Sequence, residues 1–346
     1  MSIRTQRDIV FGHARIGYNK GQGPMQVVAL KLDAYLPAVP GRAATPALVL
    51  AHGGVFHRGS KESDIFSSDT GTTTAIAEYC RRFAMLGFPS FSVQYRLAQM
   101  DPEPSREPVL TRPDDVPMSR VSVMRAEMGL PPIEPSDMAR FMEAAFDDVA
   151  EAVRFVKGRH VDYGVDPERI VLGGFSAGGR CACYATYGKR IGVAGVFSIS
   201  GPLMPADATA YLARGHDLPL PPLLMISGER DLDYVCTFVP EVERQFRAAG
   251  RQVERAQVPG ATHFYSSESQ TRDGRTVFEV IRDSITVWVG QPPEPGHATG
   301  ANRVKLDVDR SVCITTRMSV LGTFRTCCDV GLESGMRTKA DVRRPL

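Results

Sequence analysis

Val171-Leu172-Gly173-Gly174-Phe175-Ser176-Ala177-Gly178-Gly179 is the stretch on which the reading of this chain turns. An apolar run, Ile170-Val171-Leu172, ends in glycines. A serine flanked by further glycine follows, and then a helix-compatible segment from Arg180 to Ala185. Gly174-Phe175-Ser176-Ala177-Gly178 has the G-x-S-x-G spacing of a nucleophile elbow, where a serine sits on a strained strand-to-helix turn with its hydroxyl exposed. Glycine two residues to either side lets strand and helix pack closely and adopts backbone angles that other residues resist. The spacing alone is common, and the competing reading is an ordinary glycine-rich turn. Context favours the elbow. Asp166-Pro167-Glu168-Arg169 is a turn that launches the strand, so strand, turn and helix come in the required order. Ser176 is then a candidate nucleophile.

Working outward, the 346 residues, 43% of them hydrophobic, can bury a large core as one α/β domain with additions, or at most two domains. The formal charge of +2 is too small to point to nucleic acid or an anionic membrane as partner. No apolar run is long enough for a transmembrane span. Met1 to Asp8 lacks the apolar centre of a secretory signal, so a cytoplasmic location is expected. The seven cysteines, Cys80, Cys181, Cys183, Cys236, Cys313, Cys327 and Cys328, are odd in number and unevenly spaced, which fits reduced thiols. Neither Cys181-Ala182-Cys183 nor Cys327-Cys328 has a metal-ligand spacing, and no metal site is expected.

Apolar and polar residues alternate over 7–13 and 26–36, which reads as an opening antiparallel pair of edge strands. Buried strands are expected at 47–51, 89–95, 194–200 and 223–227, and a further strand at 252–258. Helices are expected at about 73–86, 137–157, 240–249 and 275–289, with Phe141, Ala145, Val149, Ala152 and Val156 on one face of the second. This alternation predicts a mostly parallel, doubly wound sheet with helices on both faces. Residues 1–290 form the catalytic domain in this reading. Within it, 98–138 holds eight prolines where a plain α/β unit needs only a short loop, and is expected to be an inserted lid. Residues 291–300 have linker composition, and 291–346 form a C-terminal extension: an arm packed on a second copy in a homodimer, or a floppy tail.

A serine hydroxyl needs a base, usually histidine, oriented by a carboxylate. After Leu223–Ser227 comes Gly228-Glu229-Arg230-Asp231-Leu232-Asp233, with three carboxylates. Asp231 is the chosen acid and Asp233 the reserve. After the strand at 252–258 comes Pro259-Gly260-Ala261-Thr262-His263, and His263 is the only histidine between the acid loop and the last helix. It is the candidate base. His13, His160, His216 and His297 read as bystanders. The oxyanion of a tetrahedral intermediate needs preorganised donors. Candidates are the N–H of Ala177 and, from the loop His52-Gly53-Gly54-Val55 after an early strand, those of Gly53 and Gly54, with His52 fixing the loop by hydrogen bonds.

Taken together, His52-Gly53-Gly54, Tyr95-Arg96-Leu97-Ala98, Gly174–Gly179, Asp231 and His263 resemble the α/β-hydrolase fold serine esterases, with the nearest look to the hormone-sensitive-lipase-like carboxylesterases and the related acetyl and feruloyl esterases. The Leu32–Pro37 stretch looks like their second strand, and the resemblance covers roughly 25–290. It implies hydrolysis of a small to medium carboxylic ester through an acyl-enzyme, with no cofactor, and a structural role for Tyr95-Arg96. The chain departs from the pattern in having Val55 where a third glycine often stands, and in carrying its extra mass at 98–138. An amide hydrolase of peptidase or arylformamidase type would use the same triad. A non-catalytic binding protein on this fold is disfavoured, because such proteins typically lose a triad member.

Overall fold

A computed structural model describes residues 2–292 except 20–24, 40–43, 63 and 215–219. The edge strand β1 (Ile3–Ile16) and its neighbour β2 (Gln26–Pro37) open the chain, followed by β3 (Thr45–Ala51). Helix α1 (Ile76–Met85) leads to β4 (Ser90–Val93). After the proline-rich stretch come α2 (Ser119–Glu127), the long α3 (Pro135–Gly158) and β5 (Val165–Phe175). The rest alternates: α4 (Ala177–Cys183), β6 (Gly195–Ile199), α5 (Pro205–Ala213), β7 (Leu223–Gly228), α6 (Asp233–Ala248), β8 (Val253–Val258) and α7 (Val277–Val289).

The eight strands form one sheet in the order β1-β2-β4-β3-β5-β6-β7-β8. β1 pairs antiparallel with β2, and β2 with β4, while every other pairing is parallel. Parallel strands are covered on both faces, so their side chains are apolar in both directions. In β3, Leu48 and Leu50 pack on one face with α1 and α7, among Ile76, Phe83, Phe278 and Ile281. Ala47, Val49 and Ala51 pack on the other with α3, α4 and α6, among Phe146, Val149, Cys181 and Val242.

The expected fold is therefore the observed one, with two differences of boundary. α6 begins at Asp233 rather than at Pro240, which lies inside the helix. Proline looks like a helix start because it lacks an N–H and clashes with the preceding turn; here burial of Val235, Val239, Val242 and Phe246 along one face carries the helix through it. Residues 98–138 divide into single helical turns at 98–100 and 113–115, helix α2, and the start of α3. Val109, Val116, Val121 and Met124 from this segment are buried in the core, so it is continuous with the domain's packing. The linker and extension beyond Pro292, with Cys313, Cys327, Cys328 and His297, lie outside the described residues, as does His216. Cys80, Cys181, Cys183 and Cys236 are free. Among the described residues no helix is long and apolar enough to cross a membrane, and no group of His, Cys, Asp and Glu could hold a metal ion.

Candidate active site

The carboxyl ends of five neighbouring parallel strands deliver the site. His52-Gly53-Gly54 follows β3, Ser176 follows β5, Ser200 follows β6, Asp231 lies just past β7 and His263 just past β8. Open parallel sheets place ligands at this edge, because the loops there leave the layer together.

Ser176 sits at the bend between β5 and α4 with φ 53° and ψ −114°, the strained turn that the glycine spacing predicts. Two contacts lock it. Its backbone N–H donates to the Ile199 carbonyl at 2.7 Å, and Gly178 lets the turn close on β3. A Cβ at Gly178 would stand 2.0 Å from the Ala51 carbonyl oxygen, so no side chain fits there.

The Ser176 hydroxyl lies 2.9 Å from Nε2 of His263, and Nδ1 of His263 lies 2.6 Å from Oδ1 of Asp231. A carboxylate only accepts, so Nδ1 carries the proton and Nε2 presents its lone pair to the serine. All three residues are buried, yet no partner is left unsatisfied around the acid. Asp231 Oδ2 accepts from the Ser200 hydroxyl at 2.6 Å and from the Gly228 N–H at 3.1 Å, and Oδ1 also accepts from the Leu232 N–H at 2.8 Å. The Tyr265 hydroxyl lies 2.7 Å from that of Ser200. The His263 ring is flanked by Phe175 and Phe264, with centroids at 5.3 and 5.4 Å. Neither competing carboxylate joins. Glu229 is exposed, pairs with Arg272 at 2.5 Å and accepts from the Gly260 N–H, while Asp233 opens α6.

The loop after β3 is held in an unusual backbone form. Gly54 has φ +116°, and Val55 and Phe56 follow with φ +56° and +59°. The N–H groups of Gly53, Gly54, Val55 and Ala177 have no hydrogen-bond partner among the described residues, which leaves them free for an incoming oxygen. His52 is buried behind the loop. Its Nδ1 contacts the Gly53 carbonyl at 2.8 Å and its Nε2 the Gln94 amide nitrogen at 3.2 Å, while Tyr95 stacks on its ring and donates to its carbonyl. Nδ1 must donate and Nε2 accept, so the ring is neutral. Burial holds its pKa down, to about 4. Arg96 instead pairs with buried Asp148 at 2.9 Å, tying the end of β4 to α3.

His57 has no sequence signal that distinguishes it from a surface histidine, yet it is fully buried. Its Nδ1 donates to the Val55 carbonyl at 2.7 Å, and its Nε2 accepts from Arg125 at 2.9 Å. Arg125 belongs to α2 and also donates to the Pro131 carbonyl at 2.6 Å. The inserted segment is thus wired to the loop after β3. Burial, with Arg125 adding to it, lowers the His57 pKa. Ser200, Tyr265, His57 and Arg125 are the supporting residues that spacing alone does not reveal, because each acts through a partner distant in sequence.

Above Ser176 lies a small cavity of about 30 Å³, lined on the core side by Val55, Ser176 and Ala177 and roofed by Val116, Pro117 and Val121 of the inserted segment.

Known proteins share the fold. The family profile for phospholipases and carboxylesterases matches residues 132–269, a span that contains Ser176, Asp231 and His263. Esterase 2 of Thermogutta terrifontis, phosphorylated by paraoxon, is 18% identical to the chain, covering 84% of it and 96% of its own length, with a TM-score of 0.52. The native form of that esterase is 19% identical, covering 85% and 95%, with a TM-score of 0.51. Its propionate-bound form is 18% identical, covering 82% and 93%, also with a TM-score of 0.51. The chain has the α/β-hydrolase fold. With the family match over residues 132–269, the assembled Ser–His–Asp cluster makes it a serine hydrolase.

Proposed function

We propose that this hydrolase cleaves small carboxylic esters through an acyl-enzyme formed on Ser176. The single observation that carries the reading is the continuous chain from Ser176 Oγ through the His263 imidazole to Asp231, at 2.9 and 2.6 Å, beside unpaired backbone N–H groups. As Ser176 Oγ attacks the ester carbonyl, its proton passes to Nε2 of His263. Asp231 stabilises the resulting imidazolium and holds its tautomer. The carbonyl oxygen becomes an oxyanion held by the N–H of Ala177 together with those of Gly53 and Gly54. His263 returns the proton to the leaving alcohol. Water, activated by the same imidazole, then attacks the acyl-serine and releases the acid.

The small size of the cavity beside Ser176 supports a short acyl group. So does the likeness to an esterase with structures bound to propionate and to butyrate. Residues 98–138, which roof that cavity, act in this reading as the lid that sets acyl length. The His52-Gly53-Gly54 turn and the buried Tyr95-Arg96 pair support kinship with the hormone-sensitive-lipase-like branch. The test is a series of p-nitrophenyl esters from acetate to laurate, with fluorophosphonate labelling of Ser176. Labelling together with fastest turnover of the shortest esters is expected. An unlabelled serine in folded protein rejects the reading, and a preference for the longest chains rejects its short-acyl part.

A further inference from the structure

One charged group beside the nucleophile is not used by the reaction just described. Arg180 lies one turn along α4 from Ser176 and is 5% exposed. Its Nε and Nη2 find no hydrogen-bond partner among the described residues. The guanidinium instead lies over the Tyr234 ring, 4.8 Å from its centroid. A buried guanidinium cannot shed its charge and is costly to leave unsatisfied. Buried polar atoms in folded proteins nearly always have partners, so these two orphans point to a group that arrives from outside.

The surroundings say what kind of group. Arg180 lines the same cavity as Ser176 and Ala177. Arg120 of α2 lines it too, and its ion pair with Glu127 is long, at 4.0 Å. The remaining walls are apolar or aromatic, among them Val116, Val121, Met142 and Tyr234, and no acidic side chain lines the cavity. Two guanidiniums on an otherwise apolar pocket form a site for an anion, and the planar fork of arginine matches a carboxylate.

We propose that the natural ester carries a carboxylate, bound by Arg180 with Arg120 beside it while Ser176 attacks the ester carbonyl. The inference rests on the esterase reading of this site. It assigns Arg180 as the specificity-determining residue: pairing with the carboxylate orients the ester over the serine and satisfies the orphaned N–H groups.

The test compares kcat/KM for monoethyl glutarate with that for ethyl 5-methylhexanoate, in which an isopropyl group replaces the carboxylate at equal shape. A charge-assisted pair in a buried site predicts a preference of about tenfold or more for the anionic ester. Arg180→Met should bring the ratio close to one. Arg180→Lys, which keeps the charge and the stem but not the fork, should give an intermediate ratio and guards against a variant that fails to fold. Glutarate should also slow fluorophosphonate labelling of Ser176 in the wild type, and do so better than inorganic phosphate. A wild-type ratio at or below one, or a ratio unchanged in Arg180→Met, overturns the subsite while labelling still reports an intact hydrolase. Stronger protection by phosphate assigns the anion as a phosphate and rejects the carboxylate. Absence of both labelling and turnover of either ester overturns the subsite and the esterase reading together.

Discussion

Ser176 has a backbone conformation that an unconstrained serine avoids, with φ 53° and ψ −114°, and the fold holds it there through Ile199 and the glycine beside β3. Strain of this kind, about 1–3 kcal/mol for a residue, persists only where surrounding contacts over-determine it. The hydroxyl is thereby aimed at Nε2 of His263. Removing either side chain, by Ser176→Ala or His263→Ala, should lower kcat by about 10³-fold or more while leaving the fold intact, as steady-state kinetics and circular dichroism on the same samples would show. A residual kcat within tenfold of wild type would reject the assignment. Gly178 is a different case. Adding a single methyl in Gly178→Ala drives Cβ onto the Ala51 carbonyl at 2.0 Å, a backbone atom that cannot step aside. A loss of about 3 kcal/mol is expected, read from the urea midpoint, together with loss of activity from the misplaced serine.

At the scale of elements, the notable connection is between α2 and the loop after β3. Arg125 of α2 reaches His57, and His57 holds the Val55 carbonyl within a run of three residues at positive φ. The N–H groups proposed to hold the oxyanion belong to this loop, so its rigidity affects the transition state more than the ground state. Arg125→Met should therefore reduce kcat by about tenfold with little change in KM for a short p-nitrophenyl ester. A lowered melting temperature with unchanged kcat would show that the tie serves stability alone. The roof of the cavity offers a second test. Val121→Ala, at a cost of about 2 kcal/mol, removes two methyl groups above Ser176 and should shift preference toward longer acyl chains. An unchanged chain-length profile would dismiss the lid role of this segment. Wholesale deletion of 98–138 is not an equivalent experiment, because Val109, Val116 and Val121 are part of the core and Met124 is buried.

For the molecule as a whole, two buried neutral histidines couple folding to pH. The folded-state pKa of His52 lies near 4, below its ordinary value of 6.5, because burial disfavours the imidazolium, and that of His57 is lowered for the same reason. Between pH 6.5 and about 4 the unfolded chain binds a proton at His52 that the folded chain refuses, so stability falls as pH drops through this window and is independent of these groups above it. The His52 share amounts to roughly 3 kcal/mol. Melting temperatures from pH 4 to 8 should decline on the acid side, and less steeply in His52→Asn; an identical acid slope in the two proteins would refute the linkage.

The strand–helix alternation, the G-x-S-x-G spacing and the order serine, acid, histidine were legible from the chain alone, because each depends on residues near one another or on a fixed sequential order of strands. The sheet and the candidacy of Ser176, Asp231 and His263, which the fold brings together, follow from that. Local pattern could not place the start of α6, where burial of one face outweighs the proline within it. Nor could it identify Ser200 and Tyr265, whose partners come from neighbouring strands distant in sequence, His57, whose ring meets Arg125 of α2, or Arg180, whose burial follows from the packing around it. Hydrogen-bond satisfaction and burial are properties of the packed chain, and an arginine left without a partner beside a nucleophile becomes visible only after folding has removed the water around it.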